Sequence, residues 1–395
     1  MVSAVKSEWT SFRFGDVCTK IGSGATPRGG NSVYLDSGSI ALIRSQNVHN
    51  DGFHRDGLAY ITQEHAIELE NVEVRESDVL LNITGDSVAR SCQVDPEVLP
   101  ARVNQHVAII RPDPRKLWPR FLRYYLVSPR MQTNMLSLAG SGATRNALTK
   151  GMIEDFKVAA PKDIKEQQAI ACILGALDDK IELNRKMNET LEEIARAIFK
   201  SWFVDAIRDG LPNEWQETTL GEVIELAYGK ALKEEDRHPG EVPVFGSNGQ
   251  VGWHNVKLVD GPGIIVGRKG NPGTVTWSHT DFFPIDTTFY VIPKGQCRSL
   301  YFLFYSLQML NLPSLSADSA VPGLNRNMAY MSPQVVPSAD ALTKFDKIVQ
   351  GLFARIHCNE EQSHTLTGLR DALLPKLISG ELRVTDAERF VERCA

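Results

Sequence analysis

The sequence predicts an α/β (α+β) chain written twice: two mixed domains and two long helices that pair as an antiparallel coiled coil. Three observations predict it. Short phrases recur in the same order along the chain, both halves share one internal grammar, and two stretches carry sustained helical periodicity.

The recurrences come first. "WTSFRFGDV" (9–17) returns as "WQETTLGEV" (215–223), placing Trp9, Gly15 and Val17 over Trp215, Gly221 and Val223. "LTKGMIEDFKVAAP" (148–161) matches "LNRNMAYMSPQVVP" (324–337), with Leu148, Met152 and Pro161 over Leu324, Met328 and Pro337. "NRKMNETLEEIARAIFKSW" (184–202) has a fainter echo in "NEEQSHTLTGLRDALLPKL" (359–377), where Asn184 meets Asn359. The offsets are 206, 176 and 175, so the first copy carries a middle 30 residues longer. Duplication at this scale means a repeated domain plus helix, related by a pseudo-twofold, rather than a solenoid.

Within each copy, β-branched runs bounded by Gly, Asn and Pro read as strands: "VRESDVLLNITGD" and "NQHVAIIRP", then "VDGPGIIVGRK" and "DTTFYVIP". A helical patch follows, "LWPRFLRYYLVS" in one copy and "SLYFLFYSLQML" in the other. A proline then closes the domain and a long helix begins. On the first helix Leu177, Ile181, Asn184, Asn188 and Leu191 continue a stripe running from Ile170 to Trp202 in alternating steps of four and three. On the second, Phe345, Ile348, Leu352, Asn359, Leu366, Leu369 and Leu373 form a looser stripe. Two such faces are buried most economically against each other, with the seam asparagines fixing register; packing of each helix on its own domain is the alternative.

Composition narrows the class. With 395 residues the chain can hold two or three cores, and 42% hydrophobic with 23% charged residues is ordinary for a globular protein. No secretory signal or membrane span is read, and the six scattered cysteines lack a C-x-x-C pair, so a reduced, cytoplasmic protein is expected. The net charge of −5 argues mildly against a nucleic-acid binder acting alone, but leaves room for local basic patches or a partner that supplies positive charge.

A search for chemistry returns little. "IGSGATPRGG" has Gly22-x-Gly24, but Pro27 replaces the third glycine of a dinucleotide fingerprint; "GRKGNPGT" lacks the G-K-[ST] of a phosphate loop. His357, Cys358 and His364 have no ligand frame around them, and no metal is expected. Asp155 and Lys157 make a D-x-K fragment without the Pro-Asp partner of a nuclease, and no Asn-Pro-Pro-aromatic signature of an amino-methyltransferase is present. No catalytic residue is assigned.

Polar loop residues remain. Arg44, Gln46 and Asn47 follow "SIALIR"; Arg90 lies just beyond "TGDS"; Asn104 and Gln105 precede "HVAII". In the second copy the corresponding elements offer Ser247 and Asn248, then Arg268 and Lys269; Arg145 and Arg326, near the matched Leu148 and Leu324, complete the set. Arg44 and Arg268 are read as standing at comparable places. Arg, Asn and Gln make the bidentate contacts that distinguish guanine from adenine, while Lys, Ser and Thr more often hold phosphates. Each position taken singly is better explained as loop solvation and turn chemistry, whereas the set taken as a surface favours binding.

On these phrases the chain resembles the specificity subunits of Type I restriction–modification systems. "FGDVCTKIGSGATP" and "LGEVIELAYGK" look like openings of the family's target-recognition domains. "NETLEEIARAIFKSWFVD" and "TLTGLRDALLPKLISGELRV" look like its central and C-terminal conserved helices. The resemblance spans essentially the whole chain. It implies target-recognition domains at 1–161 and 211–337, each reading half of a bipartite DNA site, and helical spacer regions at 162–210 and 338–395. It also implies partners: double-stranded DNA, two modification subunits that carry S-adenosylmethionine and methylate adenine N6, and a restriction subunit; the chain itself needs no cofactor. A fused restriction enzyme is disfavoured by the missing catalytic motifs. A scaffold with paired protein-binding domains is the rival from another class.

Overall fold

The computed structural model describes residues 8–140, 146–317 and 323–387. The chain divides into two units, Met1–Glu182 with Ser363–Ala395, and Leu183–Gln362, so the division falls inside both long helices. Among the described residues no helix is long and apolar enough to cross a membrane.

The strands of the first unit are β1 (Trp9–Arg13), β2 (Cys18–Ser23), β3 (Ala41–Ile43), β4 (Ala59–Tyr60) and β5 (Glu73–Val74). They continue as β6 (Val79–Asn82), β7 (Ser91–Gln93), β8 (Ala101–Val103), β9 (Val107–Pro112) and β10 (Lys157–Pro161). Those of the second are β11 (Gln216–Thr219), β12 (Ile224–Tyr228), β13 (Val242–Gly246), β14 (Gly249–His254), β15 (Gly263–Gly267) and β16 (Val275–Ser278). They end with β17 (Phe283–Pro284), β18 (Thr288–Pro293), β19 (Ser316–Ala317), β20 (Gly323–Leu324) and β21 (Pro333–Val336).

The topology repeats. One sheet has the order β2-β9-β6-β7 in the first unit and β12-β18-β15-β16 in the second. A second sheet pairs β4-β3-β8 and correspondingly β14-β13-β17, with β3–β8 and β13–β17 both parallel. The first copy adds β5 as a fourth strand and the helix Gln63–Glu68 before it, and has a longer connection between β3 and β4; together these account for much of its longer middle. The recurring phrases now have a physical reason. Trp9 pairs with Pro161 and Gln216 with Val336, so in each copy the opening and closing phrases are one antiparallel clasp.

A second duplicated device escapes the short phrases. A Cβ on Gly24 would lie 1.7 Å from the Val103 carbonyl oxygen, and one on Gly229 would lie 2.2 Å from that of Ile285. In each copy the chain leaving β2 or β12 crosses the end of the parallel pair too closely for any side chain. Backbone on the facing side cannot swing away as a side chain could. Gly24→Ala is expected to destabilise the first unit by at least about 1–3 kcal/mol in denaturant unfolding; a change within about 0.5 kcal/mol, the range of a neutral surface substitution, would contradict it.

The first long helix, Ile164–Phe199, follows Asp163, whose Oδ1 accepts from the Lys165 N–H at 2.9 Å. The second, Ala339–Ser379, ends at Gly380, whose φ of +75° gives the left-handed turn that stops helices. Both packing alternatives are realised. Leu174, Leu177, Leu373 and Leu377 share a core with Phe121 and Leu122, while Phe199, Phe203, Phe345 and Phe353 share one with Phe302 and Tyr305. Between these anchors the helices meet antiparallel. Asn184 donates to the Asn359 carbonyl (3.3 Å) and Gln362 Oε1 (3.0 Å), and Asn359 donates to Asn188 Oδ1 (2.7 Å). Asn184 and Asn359 are fully buried, or nearly so, and are each other's counterparts in the repeat. Ile181, Leu191, Leu352 and Leu366 are half-buried along the pair. Ile348 departs from the expected stripe: it is exposed, and Val349 takes the buried place one position on.

Candidate nucleic-acid interface

In the first unit the chain leaving β3 makes a tight turn and a small hairpin before returning to β4. The Arg44 Nη2 and Gln46 Nε2 groups both donate to the Gly57 carbonyl, at 2.5 and 3.0 Å, and the Arg44 guanidinium lies 5.4 Å from the Tyr34 ring. Gln46 is exposed and Arg44 half-buried, so a polar edge stays open. Two neighbours do not share it. Asn47 is buried; its Oδ1 accepts from the Arg44 N–H and its Nδ2 donates to the carbonyls of His54 and Asp56. Asn104 is also buried, and its Oδ1 accepts from the His106 N–H. The sequence put both amides forward as base readers. The fold uses them to hold turns, where a short side chain replaces a backbone partner.

Gln105, by contrast, is exposed and belongs to a polar cluster. Its Oε1 accepts from Thr26 Oγ1 (2.6 Å) and its Nε2 faces His106 Nε2 (2.9 Å), while His106 Nδ1 meets Thr84 Oγ1 at 2.5 Å. Arg90 is exposed beyond the turn that follows β6. Arg145 lies outside the described residues.

The second unit gathers its candidates more tightly. The Arg268 guanidinium lies 4.8 Å from the Tyr228 ring and donates to the Asp286 carbonyl at 3.1 Å. Arg326 sits 4.9 Å from the same ring and donates to the Leu226 carbonyl at 3.4 Å. Tyr228 is 50% exposed, so two guanidinium groups flank an aromatic face that still meets solvent. Lys269 and Asn248 are exposed on adjoining turns, and the Ser247 carbonyl accepts from Thr274 Oγ1 (2.7 Å), tying the Ser247 turn to the "GRKGNPGT" loop.

Arg44 and Arg268 do not occupy comparable places. Arg44 follows β3, whose counterpart β13 leads to Ser247. Arg268 follows β15, whose counterpart β6 leads to Ile83. The hydrogen bonds fix this assignment, since Leu148 N donates to the Ile83 carbonyl (2.8 Å) as Leu324 N does to that of Arg268 (2.9 Å). Tyr228 itself was missed. Its only signal was an aromatic ending the run "IELAY" just before Gly229. The D-x-K fragment is accounted for structurally, because Asp155 accepts two hydrogen bonds from Arg13.

Half-buried arginines beside an exposed aromatic face, on loops of a sheet scaffold, suit phosphates and base edges. The family model for the Type I restriction modification DNA specificity domain matches residues 6–193 and again 212–328. The chain belongs to this family.

Among Type I relatives, the chain is similar to the HindI specificity subunit of Haemophilus influenzae, 24% identical over 95% of this chain and 100% of that protein. It is also similar to the MjaIX specificity subunit of Methanocaldococcus jannaschii, 25% identical over 67% of this chain and 69% of the relative. In fold it resembles the crystal structure of the Type I restriction–modification S subunit from M. genitalium. The TM-score is 0.60 at 18% identity, covering 95% of this chain and 98% of that one. The two family matches fall on the two copies of the repeated topology, so this specificity-family chain carries its recognition fold twice.

Proposed function

We propose that the chain is the DNA-reading subunit of a Type I restriction–modification complex in the cytoplasm and is not itself catalytic. Residues 1–161 and 211–337 act as target-recognition domains, each reading one half of a bipartite site. The helical regions 162–210 and 338–395 set the gap and dock two modification subunits. Those partners bring S-adenosylmethionine and methylate adenine N6, and a restriction subunit completes the complex. The observation that carries the reading is one domain topology present twice with different loops, on helices that cross at Asn184 and its repeat counterpart Asn359. Dimeric readers fix half-site spacing by symmetry, and a duplicated reader does so while letting the half-sites differ. Modification subunits closing around DNA would supply the phosphate contacts that a chain of net charge −5 lacks.

The test is binding of duplex variants by the complex with its modification subunits. Arg268→Ala or Arg326→Ala should weaken binding by about 1–3 kcal/mol and relax one position of a single half-site if the arginine reads a base. If it holds a phosphate, all sequences weaken alike and the slope of log affinity against log salt falls by about one. The other half-site keeps its preference in either case. Binding without sequence preference, unmoved by either substitution, favours the protein-binding scaffold instead.

A further inference from the structure

The hairpin "HNDGFH" (49–54) carries two histidines and an aspartate, and the fold brings these three side chains together. Val48 and Phe53 form a bridge, His49 N donates to the Gly52 carbonyl (3.1 Å), and His54 N donates to that of Asn47 (2.9 Å). The two imidazoles therefore leave the base of the hairpin on the same side, stacked with centroids 4.1 Å apart and planes 15° apart. Asp51, at the tip, turns back so that its Oδ2 lies 3.2 Å from His54 Nε2. One ring nitrogen from each histidine and one Asp51 oxygen all lie within 4.8 Å of one another, the only such group among the described residues.

We propose that His49, Asp51 and His54 hold a zinc-like divalent cation. Ligand atoms around a tetrahedral zinc with bonds of about 2.0–2.1 Å stand roughly 3.3 Å apart, so small side-chain rotations close the site. Two imidazole nitrogens and one carboxylate suit zinc, cobalt or nickel; magnesium and calcium want oxygen alone. The surroundings add what such sites need. His49 Nε2 lies 3.0 Å from the Gln46 carbonyl, and a ring N–H donated there leaves Nδ1 with its lone pair free to bind. The hairpin is also braced from beneath. The Asn50 side chain accepts from Ser91 N (2.9 Å) and donates to Gln132 (3.2 Å), and Arg123 donates to the Asn50 carbonyl (2.9 Å). Three protein ligands leave at least one position open to water or to a further donor. A cation here would lock the hairpin that follows Arg44 and Gln46, and the site stands whether or not those residues read DNA.

The test is metal titration of the full chain after chelation and dialysis, with zinc competing against a chromogenic chelator and cobalt as the spectroscopic probe. The wild type should take up one equivalent more than the His49→Gln/His54→Gln double variant. Cobalt should give visible absorption bands in the wild type only, and zinc should raise the melting temperature of the wild type alone. Asp51→Ala, at the exposed tip, keeps the question open to measurement should the double variant fail to fold, and it too should lose the equivalent. Equal uptake by wild type and either variant, or no uptake by the wild type, overturns the proposal; in that case His54 and Asp51 are simply a surface hydrogen-bonded pair.

Discussion

Replacing Asp178 with alanine is expected to cost the first unit about 3–5 kcal/mol, because it leaves the buried Arg123 without a counter-charge and the half-buried Arg370 with only Asp371. Asp178 accepts from Arg123 Nη1 (2.7 Å), Tyr124 Oη (2.7 Å) and Arg370 Nη1 (3.0 Å). The side chains of Asp178, Arg123 and Arg370 are 14%, 8% and 18% exposed, so water cannot make good the loss. Burial pushes the Tyr124 phenol up, which keeps it a neutral donor to the carboxylate. The same Arg123 donates to the carbonyls of Asn50 and Asp51, so the damage should spread to the hairpin after Arg44. Asp178→Asn, which keeps the shape and one acceptor, should cost less. Denaturant unfolding followed by far-ultraviolet circular dichroism measures this, and a loss under about 1 kcal/mol would mean the cluster is solvated like a surface ion pair.

Adding one heptad to each long helix is expected to lengthen the gap between half-sites by about three base pairs. The insertion belongs at the Asn184–Asn359 crossing, because Leu177 and Leu373 on one side and Phe353 on the other are fixed in domain cores. Seven residues at 1.5 Å each extend the pair by about 10 Å, and a base pair occupies about 3.4 Å of duplex. Three base pairs also turn one reader by more than a quarter of the roughly 10.5-base-pair helical repeat, so activity should fall even at the best spacer. Whole heptads keep the seam continuous. Methylation of a library with fixed half-sites and variable spacers reads the preference directly. An active, folded variant with the old spacing would show that the helices are not the ruler.

The duplication was legible because its residues are under backbone constraint. Leu148 and Leu324 pair with the same strand ends, and the Trp9 and Trp215 phrases form the same clasp, so the letters recur with the geometry. The helix pair was legible through its period, down to the asparagine seam, although Ile348 shows that a stripe read by spacing can slip by one position. The interface was far less legible. Asn47 and Asn104 look like base readers in one dimension, yet both are buried, with the Asn47 amide and the Asn104 Oδ1 engaged in local turns that only the fold reveals. Tyr228 stands beside Arg268 and Arg326, which are 40 and 98 residues away in sequence, and no local pattern carries that pairing. The His49–Asp51–His54 group was missed for a related reason, since its ligand spacing makes sense only once the hairpin stacks the two rings.

Sequencing the methylated positions in DNA from cells that express this chain with its modification subunit tests the two-reader account most directly. The expected result is one bipartite motif with two unlike halves and a fixed gap, of which exchange of residues 211–337 for another recognition domain rewrites one half and leaves the other intact. Methylation without a bipartite motif, or an exchange that alters both halves together, would contradict it.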